Sequence, residues 1–339
     1  MRRVVVTALA AMAVYAAGAQ QSVHDLIAAV QKGLRGGESD GRIAREIRKF
    51  QMRERLDERT IEELESAGAG PKTLEEMERL RYESAGLAKA PQAVEFPAPP
   101  TPSAAEQTAV LHAAARYALN YTDSLPDFLC EQTVRRYEQL LRQNGWDLKD
   151  TLTVKLSYLD REENYTLIAI NGRKTLNTYD SIGGALSKGE FASLLLSLFD
   201  PSVGTHFWWD HWTTLRKRVT HVYRYRIEQE KSHYHLTAGV DNGFGQLETV
   251  IVGENGFVYI DRDSGRVVRI IDDAVIPWDF PVRQASRILD YDFTDIGGKP
   301  FLLPLRADVR MATDRIRTRN AVEFTGYRKF TGESTITYK

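Results

Sequence analysis

Residues 91–102, PQAVEFPAPPTP, place five prolines in twelve positions. Proline fixes φ and has no amide hydrogen, so neither a helix interior nor a central strand runs through such a stretch. It reads as an extended, semi-rigid spacer. The hydrophobic periodicity on its two sides differs. Over 22–90 almost nothing is β-like: Leu26, Ile27 and Val30, then Ile43 and Ile47, Ile61 and Leu64, and Leu74, Met77 and Leu80 keep helical spacing. Gly36-Gly37 and Gly68-Ala69-Gly70-Pro71 punctuate the pattern, and Thr73-Leu74-Glu75-Glu76 reads as a capping box. Residues 20–90 are therefore expected to form a small all-α module of two helical hairpins. TIEELESAGAGPKTLEEMERL loosely echoes SVHDLIAAVQKGLRGGESDGRIAREI, a weak sign of a repeat.

Beyond the spacer the period changes from helix to strand. Ser103-Ala104-Ala105-Glu106 opens a helix whose stripe is Val110, Ala114, Tyr117 and Tyr121, ending before Pro126. From Glu131 onward strands dominate. NYTLIAI runs through Asn171-Gly172 into RKTLNTY, a strong hairpin signal. VTHVYRYRI puts Val219, His221, Tyr223, Tyr225 and Ile227 on one face. HYHLTA, LETVIV, RILDYDF, FLLPLRADVRM, NAVEFTGY and ESTITYK add strands, with Pro304 expected at an edge or bulge. Connections are short, so neighbours are expected to pair antiparallel in a meander. One segment breaks the series: SKGEFASLLLSLFD, 187–200. Ser187 and Glu190 suggest a capping box, and Phe191, Leu194, Leu195, Leu198 and Phe199 form one stripe. A helix this short is marginal alone in water, so the stripe needs an acceptor, and the concave face of a curved sheet is the natural one.

The first residues, MRRVVVTALAAMAVYAAGAQQ, carry basic Arg2 and Arg3, an apolar run and small residues at Ala17-Gly18-Ala19. That is the pattern of a secretory signal peptide over 1–19, and the apolar run is short for a membrane span. A periplasmic or secreted protein without a transmembrane anchor is expected. The net charge of −1 becomes −3 without the two arginines, which offers no basic field for nucleic acid. Cys130 is the only cysteine, so no intramolecular disulfide forms and burial must hold the fold. As a nucleophile a lone Cys at a strand start is weak; a small buried hydrophobe is the better reading.

Candidate chemistry is sparse. In GFVYIDRDSGRVVRI, 256–270, Asp261 and Asp263 have the first spacing of a calcium loop, but Arg266 stands where that loop needs glycine. Asp263-Ser264-Gly265 supplies what a tight turn needs. His206, Asp210 and His211, with His233 and His235 as further donors, could ligate zinc in a metal-dependent hydrolase, although the spacing matches no familiar motif. Trp208, Trp209 and Trp212 beside them read as core or cavity lining. Arg135-Arg136 and Arg216-Lys217-Arg218 read as the wet side of strands. No nucleophile elbow, P-loop or dinucleotide-binding glycine pattern occurs, and no cofactor is implied.

The order helix, meander, short apolar helix, meander resembles the superfamily of LolA-like lipoprotein carriers, which includes LppX and RseB. VYIDRDSGRVVRI looks like its strand–turn–strand, and EFASLLLSLF like its plug helix. YTDSLPDFLCEQTVRRYE and DYDFTDIGGKPFLLPLRADVRM look more closely like secreted bacterial proteins with no assigned activity. The resemblance covers 103–339. It implies an α+β fold: an unclosed, curved antiparallel half-barrel with plug helices, here preceded by the all-α module. Several members hold acyl chains between sheet and helix. The strands VYIDRDSGRVVRI, NYTLIAI and LETVIV are apolar on both faces, where a sheet covered on one side has a polar face. Together these give a non-enzymatic exported protein that binds an apolar ligand, a lipid or lipoprotein acyl chain, in the half-barrel. Leu194, Leu195, Leu198 and Phe199 are its expected plug, and Trp208, Trp209, Phe257 and Tyr259 its expected wall. Two rivals stand beside it: a protein-interaction or envelope-sensing module docking a partner through 22–90, and the metal-dependent hydrolase.

Overall fold

The computed structural model describes residues 20–90, 99–140, 146–184, 186, 193–239 and 247–330. The expected signal peptide, most of the proline spacer, the Ser187–Glu190 capping box with Phe191, and ESTITYK lie outside these residues. The described residues divide into a helical unit, which also takes in Thr213–Lys217, and a second unit of Pro99–Trp212 and the residues from Arg218 on.

The helical unit comprises α1 (Val23–Arg35), α2 (Asp40–Ile47), α3 (Glu58–Ser66) and α4 (Pro71–Glu83). Ser22 and Asp25 form a reciprocal capping box that starts α1. The first helix of each hairpin ends alike. Gly37 and Gly68 take positive φ, 64° and 105°. The amides of Glu38 and Ala69 then donate back to Gly33 O and Leu64 O, each at 2.9 Å. This shared ending is the structural counterpart of the loose sequence echo. The capping box expected at Thr73 is not there. Pro71 has no amide to lose and pre-sets the helical φ, so α4 starts at that residue. Asp40 of α2 does the capping, accepting from the Lys72 and Thr73 amides at 2.9 Å and from Thr73 Oγ1 at 2.7 Å. The core of the unit is aliphatic, built on Leu26, Val30, Ile43, Ile47, Leu56, Ile61, Leu64, Met77 and Leu80.

In the second unit, α5 (Ala104–Leu119) is capped by Ser103 and followed by α6 (Tyr121–Ser124). The strands are β1 (Phe128–Leu140), β2 (Asp147–Leu159), β3 (Glu162–Ile170), β4 (Arg173–Lys174), β5 (His206–Leu215), β6 (Arg218–Ile227), β7 (His235–Gly239), β8 (Leu247–Ile251), β9 (Gly253–Asp261), β10 (Val267–Val275), β11 (Val282–Ile296), β12 (Lys299–Thr313) and β13 (Ile316–Lys329). The helix α7 (Ser193–Phe199) lies in sequence between β4 and β5. Eleven strands form one unclosed, curved antiparallel sheet in the order β4-β3-β2-β1-β13-β12-β11-β10-β9-β6-β5. It departs from a plain meander twice. β1 pairs with β13, and β7 and β8 leave to form a separate ribbon, so that β9 pairs with β6.

Local signals explain the turns. Asn171 and Gly172 both take positive φ, 50° and 74°, the geometry of the tight hairpin turn. Pro304 sits at a bulge, where the pairing slips from Asp290↔Arg306 to Tyr291↔Pro304. The core gathers on one face of the sheet, under α5, α6 and α7. Ala114, Ala118 and Tyr121 come from α5 and α6, and Phe128, Val134, Leu152, Tyr158, Tyr223, Tyr225, Val258, Ile270, Leu289 and Tyr291 from the strands.

Candidate functional site

The helix-bearing face is the one broad apolar surface on which the sequence places a short greasy helix. Leu194, Leu195, Leu198 and Phe199 of α7 are all buried in its core. The helix also packs on α5. Phe199 stacks on Phe207 of β5, ring centroids 5.4 Å apart, and Phe207 lies 6.4 Å from Tyr225 of β6. An aromatic row thus links α7 to the strands at the β5 edge.

The expected wall is corrected at three of its four positions. Phe207 and Trp209 pack against the core. Strand alternation therefore turns Trp208 the other way, and it is half exposed. Val258 and Ile260 join the core beneath the helices, so Phe257 and Tyr259 face the opposite side of the sheet. Tyr259 there meets Arg269, whose guanidinium lies 5.7 Å from its ring centre. Trp209 alone keeps its place on the helix-bearing face.

The apolar runs on both faces have an account in the register. Opposite the helices a charged row crosses the strands, with Arg269 and Arg306 both donating to Asp290 at 2.6 Å and Arg135 donating to Glu323 at 2.8 Å. Arg136, expected on the wet side with its neighbour, points to the helix-bearing face and is buried. It holds Asp150 through two bonds, 2.7 and 2.6 Å, and donates to Gly183 O at 2.7 Å. Successive strand residues cannot share a face, so only one of the two arginines could stay wet. Arg216 and Lys217 are not on a strand but form the β5–β6 turn, with φ of 47° and 67°.

A cluster that the sequence reading missed lies on the helix-bearing face beyond Tyr225. Three strands bring Glu254 (β9), Asp272 (β10) and Arg287 (β11) together. Arg287 donates to Asp272 through Nε at 2.8 Å and to Glu254 through Nη2 at 3.0 Å. Tyr225 Oη donates to Asp272 at 2.7 Å, and Ser232 Oγ to Glu254 at 2.7 Å. Both carboxylates are fully buried. Gly256 sits in register between Tyr225 and Asp272. A Cβ there would lie 1.9 Å from the Ile271 carbonyl oxygen, so only glycine lets the strands close. Burial, with Asp272 adding its negative charge, pushes the Glu254 carboxyl up to about 7. One signal was available: Asp272 follows Ile270 by two and so shares a core face.

The other candidates resolve locally. Asp261 accepts from the Ser264 amide at 3.0 Å, and the Gly265 amide donates to Asp261 O at 2.9 Å. DRDSG is the corner of the β9–β10 hairpin. Asp210 accepts from His211 Nδ1 at 2.8 Å and from Arg224 at 2.5 Å, which holds its carboxyl below the ordinary range. His206 is exposed and stacks on Trp208 instead, and His233 and His235 are exposed on and before β7. Among the described residues no three His, Cys, Asp or Glu side chains gather to hold a metal ion, so the hydrolase reading loses its ligand set. Cys130 is buried in the main core, and burial pushes its thiol up to about 12, far from a reactive thiolate. No helix among the described residues is long and apolar enough to cross a membrane.

No family model and no curated protein matches the chain. Among solved structures it is similar to a LolA superfamily protein from Nitrosomonas europaea, with 10% identity, a TM-score of 0.31, and coverage of 68% of this chain and 97% of that one. It is similar also to a DUF1329 family protein from Desulfovibrio piger, with 10% identity, a TM-score of 0.30, and coverage of 67% and 94%. A third is a domain described as an outer membrane lipoprotein-sorting protein from Vibrio parahaemolyticus, with 11% identity, a TM-score of 0.32, and coverage of 66% and 94%.

Proposed function

We propose that the unit from Pro99 onward is an exported, non-enzymatic carrier that holds an apolar or lipidic ligand on the helix-bearing face, in the place α7 now takes. One observation carries the reading. The described part of α7, Ser193–Phe199, is a greasy helical stretch, and its Leu194, Leu195, Leu198 and Phe199 are buried on an open sheet. A short apolar helix is marginal alone in water. It persists because the sheet offers apolar surface, and an acyl chain would gain from that surface in the same way. Burial at ~25 cal/mol per Å² makes the exchange of one apolar occupant for another nearly even. Phe207, Trp209 and Tyr225 would line the chain after exchange.

The test is native mass spectrometry of the protein purified from its own host, with extraction and identification of bound lipid. A discrete mass increment that extracts into organic solvent is the expected result. Protein that arrives ligand-free, and stays so when offered acyl probes, overturns the proposal.

A further inference from the structure

Of the polar places on the helix-bearing face, two differ in how their groups are satisfied. At the Glu254–Asp272–Arg287 cluster the groups bond to one another. Near the β5 edge they do not. Trp209 Nε1 and His221 Nδ1 are shielded from solvent and have no hydrogen-bond partner among the described residues. Both neighbour one ring: Trp212 lies 6.3 Å from Trp209 and 3.9 Å from His221, centroid to centroid. Thr213 Oγ1, next along the strand, is likewise without a partner among the described residues, whereas two nearby polar groups are served. Trp212 Nε1 donates to Pro100 O at 3.0 Å, and Tyr223 Oη to Gln107 O at 3.1 Å. An unpaired buried polar group is costly, so two beside one ring mark a place built for something else to bond.

The chemistry of that something can be narrowed. An indole N–H only donates, so Trp209 asks for an acceptor. Burial lowers the proton affinity of His221, and a neutral imidazole offers one donor and one acceptor. The charges acting on His221 are Glu106 and Arg262, of opposite sign, so neither a strong anion nor a strong cation is favoured. Trp209 follows Phe207 by two residues on the same strand face, roughly 7 Å along the strand, and Phe207 is the ring on which Phe199 of α7 stacks. A chain in the place of α7 would therefore present one end to this corner.

We infer that Trp209 and His221, both beside Trp212, bind the uncharged polar end of an otherwise apolar ligand, a carbonyl with a neighbouring hydroxyl as in an acyl ester of glycerol. This rests on the carrier reading and specifies the ligand's head. The experiment measures binding of 1-decanoylglycerol and of decane to the full chain and to the Trp209→Phe and His221→Phe variants, which keep a ring and lose the nitrogen. Circular dichroism and thermal unfolding check that each variant folds. The expected result is that each variant binds the glyceride about tenfold more weakly, while for His221→Phe, whose ring does not line the chain, affinity for decane stays within twofold. Equal losses for both ligands would show that the rings only pack, and would overturn the inference while leaving the carrier reading standing. So would variants that bind the glyceride undiminished, the result if an ordered water alone serves the two nitrogens. If the native chain binds neither ligand, the carrier reading fails and this inference fails with it.

Discussion

The two units bury their interiors with different side chains. In the helical unit the core is aliphatic, with Leu26, Val30, Ile43, Ile47, Leu56, Ile61, Leu64, Met77 and Leu80 meeting across four helices. Branched aliphatic chains interlock tightly, and deleting one leaves a hole that its neighbours fill only in part. In the sheet unit the core beneath the helices is rich in rings: Tyr121, Phe128, Tyr158, Tyr179, Phe199, Tyr223, Tyr225, Tyr291 and Phe324. It also runs up to buried charge at Asp272 and Glu254 and to the unpaired nitrogens of Trp209 and His221. Rings bring large area with a polar handle, and stretches of such a surface can change their apolar occupant without being rebuilt. The first core specifies one packing. The second leaves room for chemistry.

The largest effect that would sharpen this contrast lies at the buried charges. Arg287→Met should destabilise the sheet unit by about 3–5 kcal/mol, because it leaves Asp272 and Glu254 buried without their common cation. Urea unfolding followed by tryptophan fluorescence reads this directly, since the tryptophans, Trp146, Trp208, Trp209, Trp212 and Trp278, all lie in the sequence beyond Pro99. A loss under ~1 kcal/mol would mean the cluster is solvated, and the contrast between the two cores would weaken.

Next comes a matched pair of truncations. Leu26→Ala in the aliphatic core is expected to cost about 2–5 kcal/mol, the range for a fully buried leucine. Leu198→Ala in α7 removes the same atoms from an equally buried site, yet should cost less, about 1–2 kcal/mol, because a helix lying on the face of an open sheet can shift to close the gap. It should also raise the affinity for decane, since the ligand then competes with a weaker occupant. Equal costs, with no gain in affinity, would make α7 ordinary core. Hydrogen exchange of the α1 and α7 amides separates the two outcomes.

How much of this was legible follows from where each signal sits in the chain. Contiguous features were plain: the four amphipathic helices, the Asn171-Gly172 corner, the bulge at Pro304, the stripe of α7. Features that depend on register were not. Glu254, Asp272 and Arg287 are scattered over three strands, and only the pairings Asp272↔Arg287 and Ala274↔Glu254 place them on one face. Phe257 and Tyr259 were misplaced for a related reason. A strand that is apolar on both sides carries no alternation to tell which face meets the helices. Asp40 capping α4 from another helix is invisible in a local window, where Thr73 and Glu76 offer a sufficient alternative.

The smallest effect is a pH dependence that should belong to the sheet unit. The Glu254 carboxyl is raised to about 7, above its ordinary value of 4.5, first by burial and then by Asp272. The folded chain therefore holds this proton more tightly than the unfolded chain does. Stability from the group is fully present below about pH 4.5 and is lost as pH rises through 7. Between pH 6 and pH 8 the loss should be on the order of 1 kcal/mol. Glu254→Gln mimics the protonated form, keeps an acceptor for Ser232, and leaves Arg287 paired with Asp272. The urea midpoint of this variant should therefore stay flatter from pH 6 to pH 8 while that of the native chain falls, and the two should meet only towards pH 4.5. Parallel slopes would instead place the proton elsewhere and leave Glu254 charged throughout, with Arg287 balancing it despite Asp272. In that case the polar boundary of the helix-bearing face would be a fixed ion cluster, and the contrast between a rigid aliphatic core and an adaptable aromatic one would rest on the rings alone.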